Sequence, residues 1–255
     1  MDETEIRRQL PFIRQVYQFE ELDSTNDYAK SLVKKAQMEA AENIHFPALI
    51  LAIKQTKGRG RRGKSWYSSE DSLTFSIIWE TSTLPAGKIP FALKSGLWLA
   101  EEFNRLGSKD YCQVKWPNDV MRQGLKMGGM LSQATWRGHA CTRWTFSLGI
   151  NVSQAPKTWA CMGEAHEVGK VTEALIPLLV EALTQPLPQH EWVTYQGHLM
   201  GWGQWLQWRD IEQDVLVIAK PLQLDAMGRL QVTTKDGQCQ WLQPKQWEWL
   251  GEIQP

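Results

Sequence analysis

Between two apolar, strand-like runs at 47–53 and 72–79 the chain carries Gly58-Arg-Gly-Arg-Arg-Gly-Lys-Ser65. This loop constrains the fold more than any other segment. Lys54, Lys57, Arg59, Arg61, Arg62 and Lys64 put six cations in eleven residues, where the chain's 28 cations in 255 residues would supply about one. Three interleaved glycines permit positive φ and a close approach of backbone N–H groups to an anion. Read literally, the segment satisfies both GxGxxG and GxxxxGK[ST]. Each of those motifs needs a helix beginning inside the glycines, whose N-terminus holds the phosphate. Here the glycines lead instead into Ser65-Trp-Tyr-Ser-Ser-Glu-Asp71 and then a β-type run. No apolar run ending in a Walker-B aspartate is evident either. The spacing of Glu80 alone does not dismiss the dinucleotide pattern; the missing helix does. The segment is then a cationic glycine loop between strands, suited to a lid that orders over a phosphate-bearing ligand.

Composition narrows the rest. Lys+Arg and Asp+Glu both number 28, so the chain is neutral overall, which argues against a nucleic-acid coat. Hydrophobic residues at 42% are enough to build a core, and the length suits one large domain, alone or with a small appendage. No run of 18 or more apolar residues is present, and the charged N-terminus lacks a signal-peptide core, so a cytoplasmic protein without a membrane span is expected. Cys112, Cys141, Cys161 and Cys239 are scattered and read as free thiols. The five histidines do not cluster, so no protein-held metal site is expected.

Along the chain, 13–21 reads as a strand, and 25–41 as a helix capped by Ser24 with Asp27 three residues on. A long amphipathic helix covers 89–106, ending near Gly107. Strands fall near 111–116, 126–135 and 142–152, and a helix at 170–184 despite Pro177. From about residue 200 short runs punctuated by Gly203, Gly228 and Gly237 predict an all-β appendage, with hairpin turns at the last two. The expected division is 1–199 and 200–255.

Three further segments matter in combination. Lys115-Trp-Pro-Asn-Asp119 sets a cation, a flat ring, an amide and a carboxylate around a proline turn. Lys126-Met-Gly-Gly129 places a lysine before two glycines. Gly149-Ile-Asn151 ends a strand with an amide. Singly, each is ordinary turn, hairpin or strand-end chemistry. Together with Ser24-Thr-Asn26, Gln55, the arginine–glycine loop and Trp66, and in this order, they resemble biotin–protein ligases. The resemblance runs from about residue 15 to the end, where Gly251-Glu-Ile253 looks like the family's last strand.

The resemblance implies an α+β fold like that of class II aminoacyl-tRNA synthetases. This is a mixed, largely antiparallel sheet flanked by helices, with a small C-terminal SH3-like β-barrel. It implies a two-step reaction, forming biotinyl-5′-AMP from biotin and ATP and then transferring biotin to a lysine of a biotin carboxyl carrier domain. Lys126, Arg61 and Asp119 are the implied catalytic residues. Lys126 stabilises charge between carboxylate and α-phosphate, and Asp119 orients or deprotonates the incoming lysine. Ser24, Thr25, Asn26, Gln55, Arg59, Gly60, Arg61, Trp66, Lys126 and Gly129 are the implied biotin-binding set. Arg59, Arg61, Arg62, Lys64, Asn118, Lys126 and Asn151 are the implied ATP and adenylate set. Mg²⁺ would arrive with ATP and bridge its phosphates.

This sequence departs from the family pattern in two places. Lys64 stands where arginine is frequent, which keeps charge but loses the bidentate fork. Gln133 stands where many members have glutamate. Only about a dozen residues precede the first matching strand, so a monofunctional ligase without a DNA-binding domain is expected, as a monomer or homodimer. The alternatives are a lipoate ligase, a P-loop ATPase and an RNA-binding module. The first lacks its Arg-Arg-x-x-Gly-Gly-Gly pattern here, the second its helix; the third would bind RNA and show no biotin-dependent chemistry.

Overall fold

The computed structural model describes residues 3–38, 43–80, 91–105, 111–184, 196–225 and 228–252. It divides into two compact units, Met1–Pro85 with Arg122–Gln185, and Ala86–Met121 with Pro186–Pro255.

The first unit is built on a mixed sheet. β1 (Gln15–Leu22), β2 (Ala48–Gln55), β3 (Ser72–Glu80), β7 (Ala140–Asn151) and β6 (Leu125–Arg137) lie side by side in that order. β1 and β2 run parallel; the β2–β3, β3–β7 and β7–β6 pairs are antiparallel. α2 (Thr25–Gln37) makes the crossover from β1 to β2, as a parallel pair requires. Its Ser24 hydroxyl accepts from the Asp27 backbone N–H, the expected cap. The helix ends at Gln37, short of the expected 41; residues 39–42 lie outside the described set. Ala29, Leu32 and Val33 of α2 pack on Phe46, Ala48, Ile50 and Ile78. α4 (Val168–Thr184) begins two residues before the expected 170 and carries Pro177 inside it.

β3 is buried along both faces, the mark of a central strand. Its period of two puts Leu73, Phe75 and Ile77 on one face and Ser72, Thr74 and Ser76 on the other. The β3–β7 register, Ser76 opposite Ser147 and Ser72 opposite Asn151, carries the polar stripe across to β7. A helix α1 (Glu3–Gln9), which charge alone did not suggest, buries Ile6, with Leu10 and Ile13 buried just beyond it.

The second unit contains α3 (Phe91–Arg105), β4 (Cys112–Lys115), the start of β5 (Asp119–Arg122) and the C-terminal strands. The expected helix ends at 89–90 and 106–107 lie outside the described residues. β5 was not anticipated, because Pro-Asn-Asp reads as a turn alone. β8 (Leu206–Asp210), β9 (Val215–Leu224), β10 (Leu230–Thr234), β11 (Cys239–Leu242) and β12 (Trp247–Glu252) form an antiparallel SH3-like sheet in the order β11-β10-β9-β8-β12. Gly228 and Gly237 sit at positive φ in the β9–β10 and β10–β11 turns, as their placement predicted.

Candidate functional site

The cationic loop is folded on itself. Arg59 bridges Ser65, Gly60 N–H donates to Lys64 O at 2.7 Å, and Trp66 N–H donates to Gly58 O at 2.8 Å. The apex is a three-residue 3-10 turn, Arg61–Gly63, in which Arg62 itself has φ 55°. No longer helix succeeds it; residues 65–71 lead directly into β3. That disposes of the P-loop and dinucleotide readings on the fold itself. Glycine is required at 58, where a Cβ would come within 2.6 Å of Trp66 O.

The side chains of the loop divide. Arg62 and Lys64 are exposed and Arg61 is half-buried. Arg59 instead donates through Nε to Asp27 Oδ2 at 2.7 Å, tying the loop to the first turn of α2. Burial, the largest single influence on the Asp27 carboxyl, pushes its pKa up; the hydrogen bonds and positive charges of Arg59 and Lys30 together outweigh it, and the carboxyl sits below its ordinary value. The stability this carries is present above the unfolded carboxylate pKa and is lost as pH falls through the folded one. It is modest, since the Asp27 side chain is 39% exposed. Arg59→Ala is therefore expected to move the Asp27 midpoint upward in an NMR titration; an unmoved midpoint would show the pair to be inconsequential.

At the N-terminus of α2, Ser24, Thr25 and Asn26 are each at most 3% exposed. The Thr25 backbone N–H and hydroxyl both donate to Gln55 Oε1, at 2.7 and 3.2 Å. Ser76 Oγ lies 3.0 Å from Thr25 Oγ1 and 2.7 Å from Ser147 Oγ. Asn26 Nδ2 donates to Ser147 Oγ at 2.9 Å, while Asn26 Oδ1 is buried without a partner. Thus the expected Ser-Thr-Asn and Gln55 form one polar wall, together with Ser76 and Ser147, which sequence reasoning missed. The available signal was the Ser/Thr alternation through β3 and β7.

Further along the same face of β7, Gly149 lies under the Trp66 indole; a Cβ on Gly149 would stand 2.5 Å from Trp66 Cε2. Trp66 is 8% exposed and its Nε1–H has no partner. Its ring meets Trp159 edge-on, with centroids 4.9 Å apart. The Lys126 ammonium stands 5.8 Å from the Trp66 ring and 5.6 Å from the Trp159 ring, so two adjoining indoles face one cation from the same side. Trp159 belongs to the stretch 152–170, in which no motif was legible. It is brought here by pairing with Lys126, and Ala160 N–H donates to Lys126 O at 2.9 Å. Gly129 pairs with Gly149 in the neighbouring strand.

Asn151 is fully buried. Its Nδ2 donates to Ala160 O at 3.0 Å and its Oδ1 accepts from Ser72 Oγ at 3.4 Å. Its side chain therefore clamps the 152–163 segment. Arg122 holds the same segment by donating to Cys161 O at 2.6 Å.

The remaining expected residues belong to the second unit. Asn118 Nδ2 donates to Asp119 Oδ1 at 3.1 Å, so the two side chains of the turn are joined. Trp116 is anchored elsewhere in that unit: its Nε1–H donates to Gly228 O at 3.0 Å and its ring meets Trp208 edge-on. The Lys115 ammonium lies 4.9 Å over the Trp249 ring. Several tryptophans of the C-terminal quarter thus have a role. Trp208, Trp247 and Trp249 are buried core. Among the described residues, no group of three His, Cys, Asp or Glu could hold a metal, and no helix is long and apolar enough to cross a membrane.

A mixed sheet with this loop, joined to a small antiparallel β unit, is the biotin-ligase fold. The biotin protein ligase from Aquifex aeolicus in complex with biotin and ATP superposes with a TM-score of 0.72 at 20% identity, covering 94% of this chain and 100% of that one. The biotin acetyl coenzyme A carboxylase synthetase from Helicobacter pylori gives 0.62 at 23%, covering 89% and 99%. The chain belongs to the biotin/lipoate A/B protein ligase family, whose model matches residues 19–151. The bifunctional ligase/repressor BirA of Escherichia coli is 29% identical over 189 residues, 71% of this chain and 56% of that protein. The biotin–[acetyl-CoA-carboxylase] ligase of Paracoccus denitrificans is 30% identical over 144 residues, 54% of this chain and 55% of that protein. The matches thus span about half the length of these two relatives.

Proposed function

We propose that this chain is an ATP-dependent biotin–protein ligase, with 1–199 as its catalytic portion and 200–255 as its C-terminal β portion. The observation that supports this most is the Lys126 ammonium, 5.8 Å from the Trp66 ring and 5.6 Å from the Trp159 ring, in the same unit as the buried Thr25/Asn26/Gln55 wall. A ring rich in hydrogen-bonding groups suits the wall; an acyl carboxylate and a phosphate suit the cation.

In this reading, a biotin carboxylate oxygen attacks the α-phosphate of ATP and pyrophosphate leaves. Lys126 neutralises the charge shared by carboxylate and phosphate, a preorganised role beside two adjoining indoles. Ser24, Thr25, Asn26 and Gln55 hold the ureido ring. Trp66, with Gly60, Gly129 and Gly149, shapes the channel for its apolar part. Arg61, Arg62 and Lys64 take the phosphates. Arg59 closes the loop onto Asp27 and reaches the adenylate. Asn118 contributes to nucleotide binding; Asn151 does so by holding the 152–163 segment in place. In the second step a carrier lysine amine attacks the acyl carbonyl of biotinyl-5′-AMP, AMP leaves, and Asp119 receives or directs the amine's proton. The carrier is the biotin carboxyl carrier domain of acetyl-CoA carboxylase or a related enzyme. Mg²⁺ supplies charge neutralisation on the nucleotide's phosphates, and no dedicated protein cage is proposed for it.

The test is biotin-dependent exchange of labelled pyrophosphate into ATP, then transfer to a carrier domain. Absence of exchange would sink the proposal. Ser65→Ala is expected to retain exchange within about twofold, because Ser65 is exposed and bridges Arg59 through its backbone alone. A collapse of Mg-ATP chemistry in that variant would count against the ligase reading.

A further inference from the structure

We infer that Ser76 and Ser147 are specificity-determining residues, because they complete a one-way hydrogen-bond chain that leaves the site wall able to accept N–H donors from the substrate ring. This rests on the ligase reading above and deepens it.

The direction is set by one fixed end. A backbone N–H can only donate, so Thr25 N–H at 2.7 Å fixes Gln55 Oε1 as acceptor and its Nε2 as the donor end. The Thr25 hydroxyl also donates to that oxygen, so it accepts from Ser76. With its proton committed to Thr25, Ser76 must accept from Ser147 across the 2.7 Å contact. Ser147 must then accept from Asn26 Nδ2, as observed at 2.9 Å. The chain runs from Asn26 through Ser147, Ser76 and Thr25 to Gln55, and every hydroxyl proton in it is consumed. Asn26 Oδ1 is thereby turned outward from the chain, buried in a residue only 3% exposed and unpartnered. A buried amide oxygen without a donor is costly to leave so. The wall therefore offers lone pairs from three hydroxyls and Asn26 Oδ1, against amide donors only at Gln55 Nε2 and the second Asn26 Nδ2 hydrogen. A cyclic urea, with two N–H groups and one carbonyl, matches that polarity. A disulfide-containing acyl ring, with no N–H, does not.

Ser147 acts through Asn26 and Ser76, which makes it a positioning residue. The experiment measures biotin binding by calorimetry and pyrophosphate exchange in parallel. Ser147→Ala and Ser76→Ala should each raise the biotin Kd and KM about tenfold while the KM for ATP stays within about twofold. The double variant should lose little more than either single one, since the chain is already broken. Ser147→Thr, which keeps the hydroxyl, should stay within about threefold of wild type. Di-N-methylated biotin should bind the wild type weakly and lose the distinction between wild type and Ser147→Ala. Unchanged biotin affinity in Ser147→Ala overturns the inference, as does an equal loss for ATP or a failure of threonine to rescue. Wild type that binds biotin but performs no exchange defeats the ligase reading, while the binding series still decides the inference. Wild type that binds no biotin defeats both.

Discussion

Lys126→Ala is expected to lose biotin-dependent pyrophosphate exchange by about 10²–10³-fold, the usual cost of removing one preorganised charge-stabilising group. The fold should survive. Lys126 is only part-buried, and its ammonium faces the adjoining Trp66 and Trp159 rings from one side. Such contacts are worth about 0.5–2 kcal/mol. Unfolding should therefore shift by a few degrees at most while exchange collapses. The backbone pairing of Lys126 with the 159–160 segment does not depend on its side chain, so Trp159 should stay in place. Near-normal exchange in Lys126→Ala, with biotin and ATP saturating, would remove Lys126 from the chemistry.

Gly149→Ala should disable the site by a different route. The added methyl would stand 2.5 Å from Trp66 Cε2 and 2.7 Å from Nε1, closer than carbon atoms pack. Neither side yields easily. Gly149 is central in β7, paired to both β3 and β6, and Trp66 is pinned by its backbone bond to Gly58 and by Trp159. Overpacking of this kind costs about 1–3 kcal/mol. Because the ring that must move also flanks Lys126, biotin affinity should fall by about tenfold or more alongside stability. Gly149→Ala with Trp66→Phe should recover much of the lost stability, since the smaller ring leaves room for the methyl. An equally unstable double variant would mean that the clash is not with the indole. Gly128→Ala is the milder neighbour, with its nearest contact a backbone oxygen at 3.1 Å.

Much of this was legible in residue order. The loop's missing helix excluded two nucleotide folds, and the structure shows the turn running straight into β3. The cap at Ser24, the two hairpin glycines and the β-rich C-terminal region came from local chemistry that tertiary packing does not override. The features that escaped had long-range causes. Trp159 sits in a segment without periodicity, and its position depends on its neighbour Ala160, whose N–H donates to Lys126 O and whose carbonyl accepts from Asn151 Nδ2, both partners earlier in the chain. Ser76 and Ser147 were invisible for a subtler reason. Alternating polar and apolar residues normally mark a strand with one wet face. Here both strands bury that polar face, and only pairing across 71 residues shows that the two stripes oppose one another. β5 was missed because a short strand after a proline turn carries too few residues to announce itself.

The alternation in β3 also bears on folding fidelity. A strand with one solvated face can often tolerate a sliding error for a time, because the misplaced side meets water. β3 has no such refuge: both of its sides are enclosed. A slip of one residue against β7 would drive Leu73, Phe75 and Ile77 into the hydroxyl-lined side and push Ser72, Thr74 and Ser76 into the apolar layer. Each misplaced hydroxyl would lose its partners in a place without solvent. The groups proposed to read the substrate thereby also proofread the sheet, so the alignment that assembles the polar wall is the one the chain is most strongly penalised for missing.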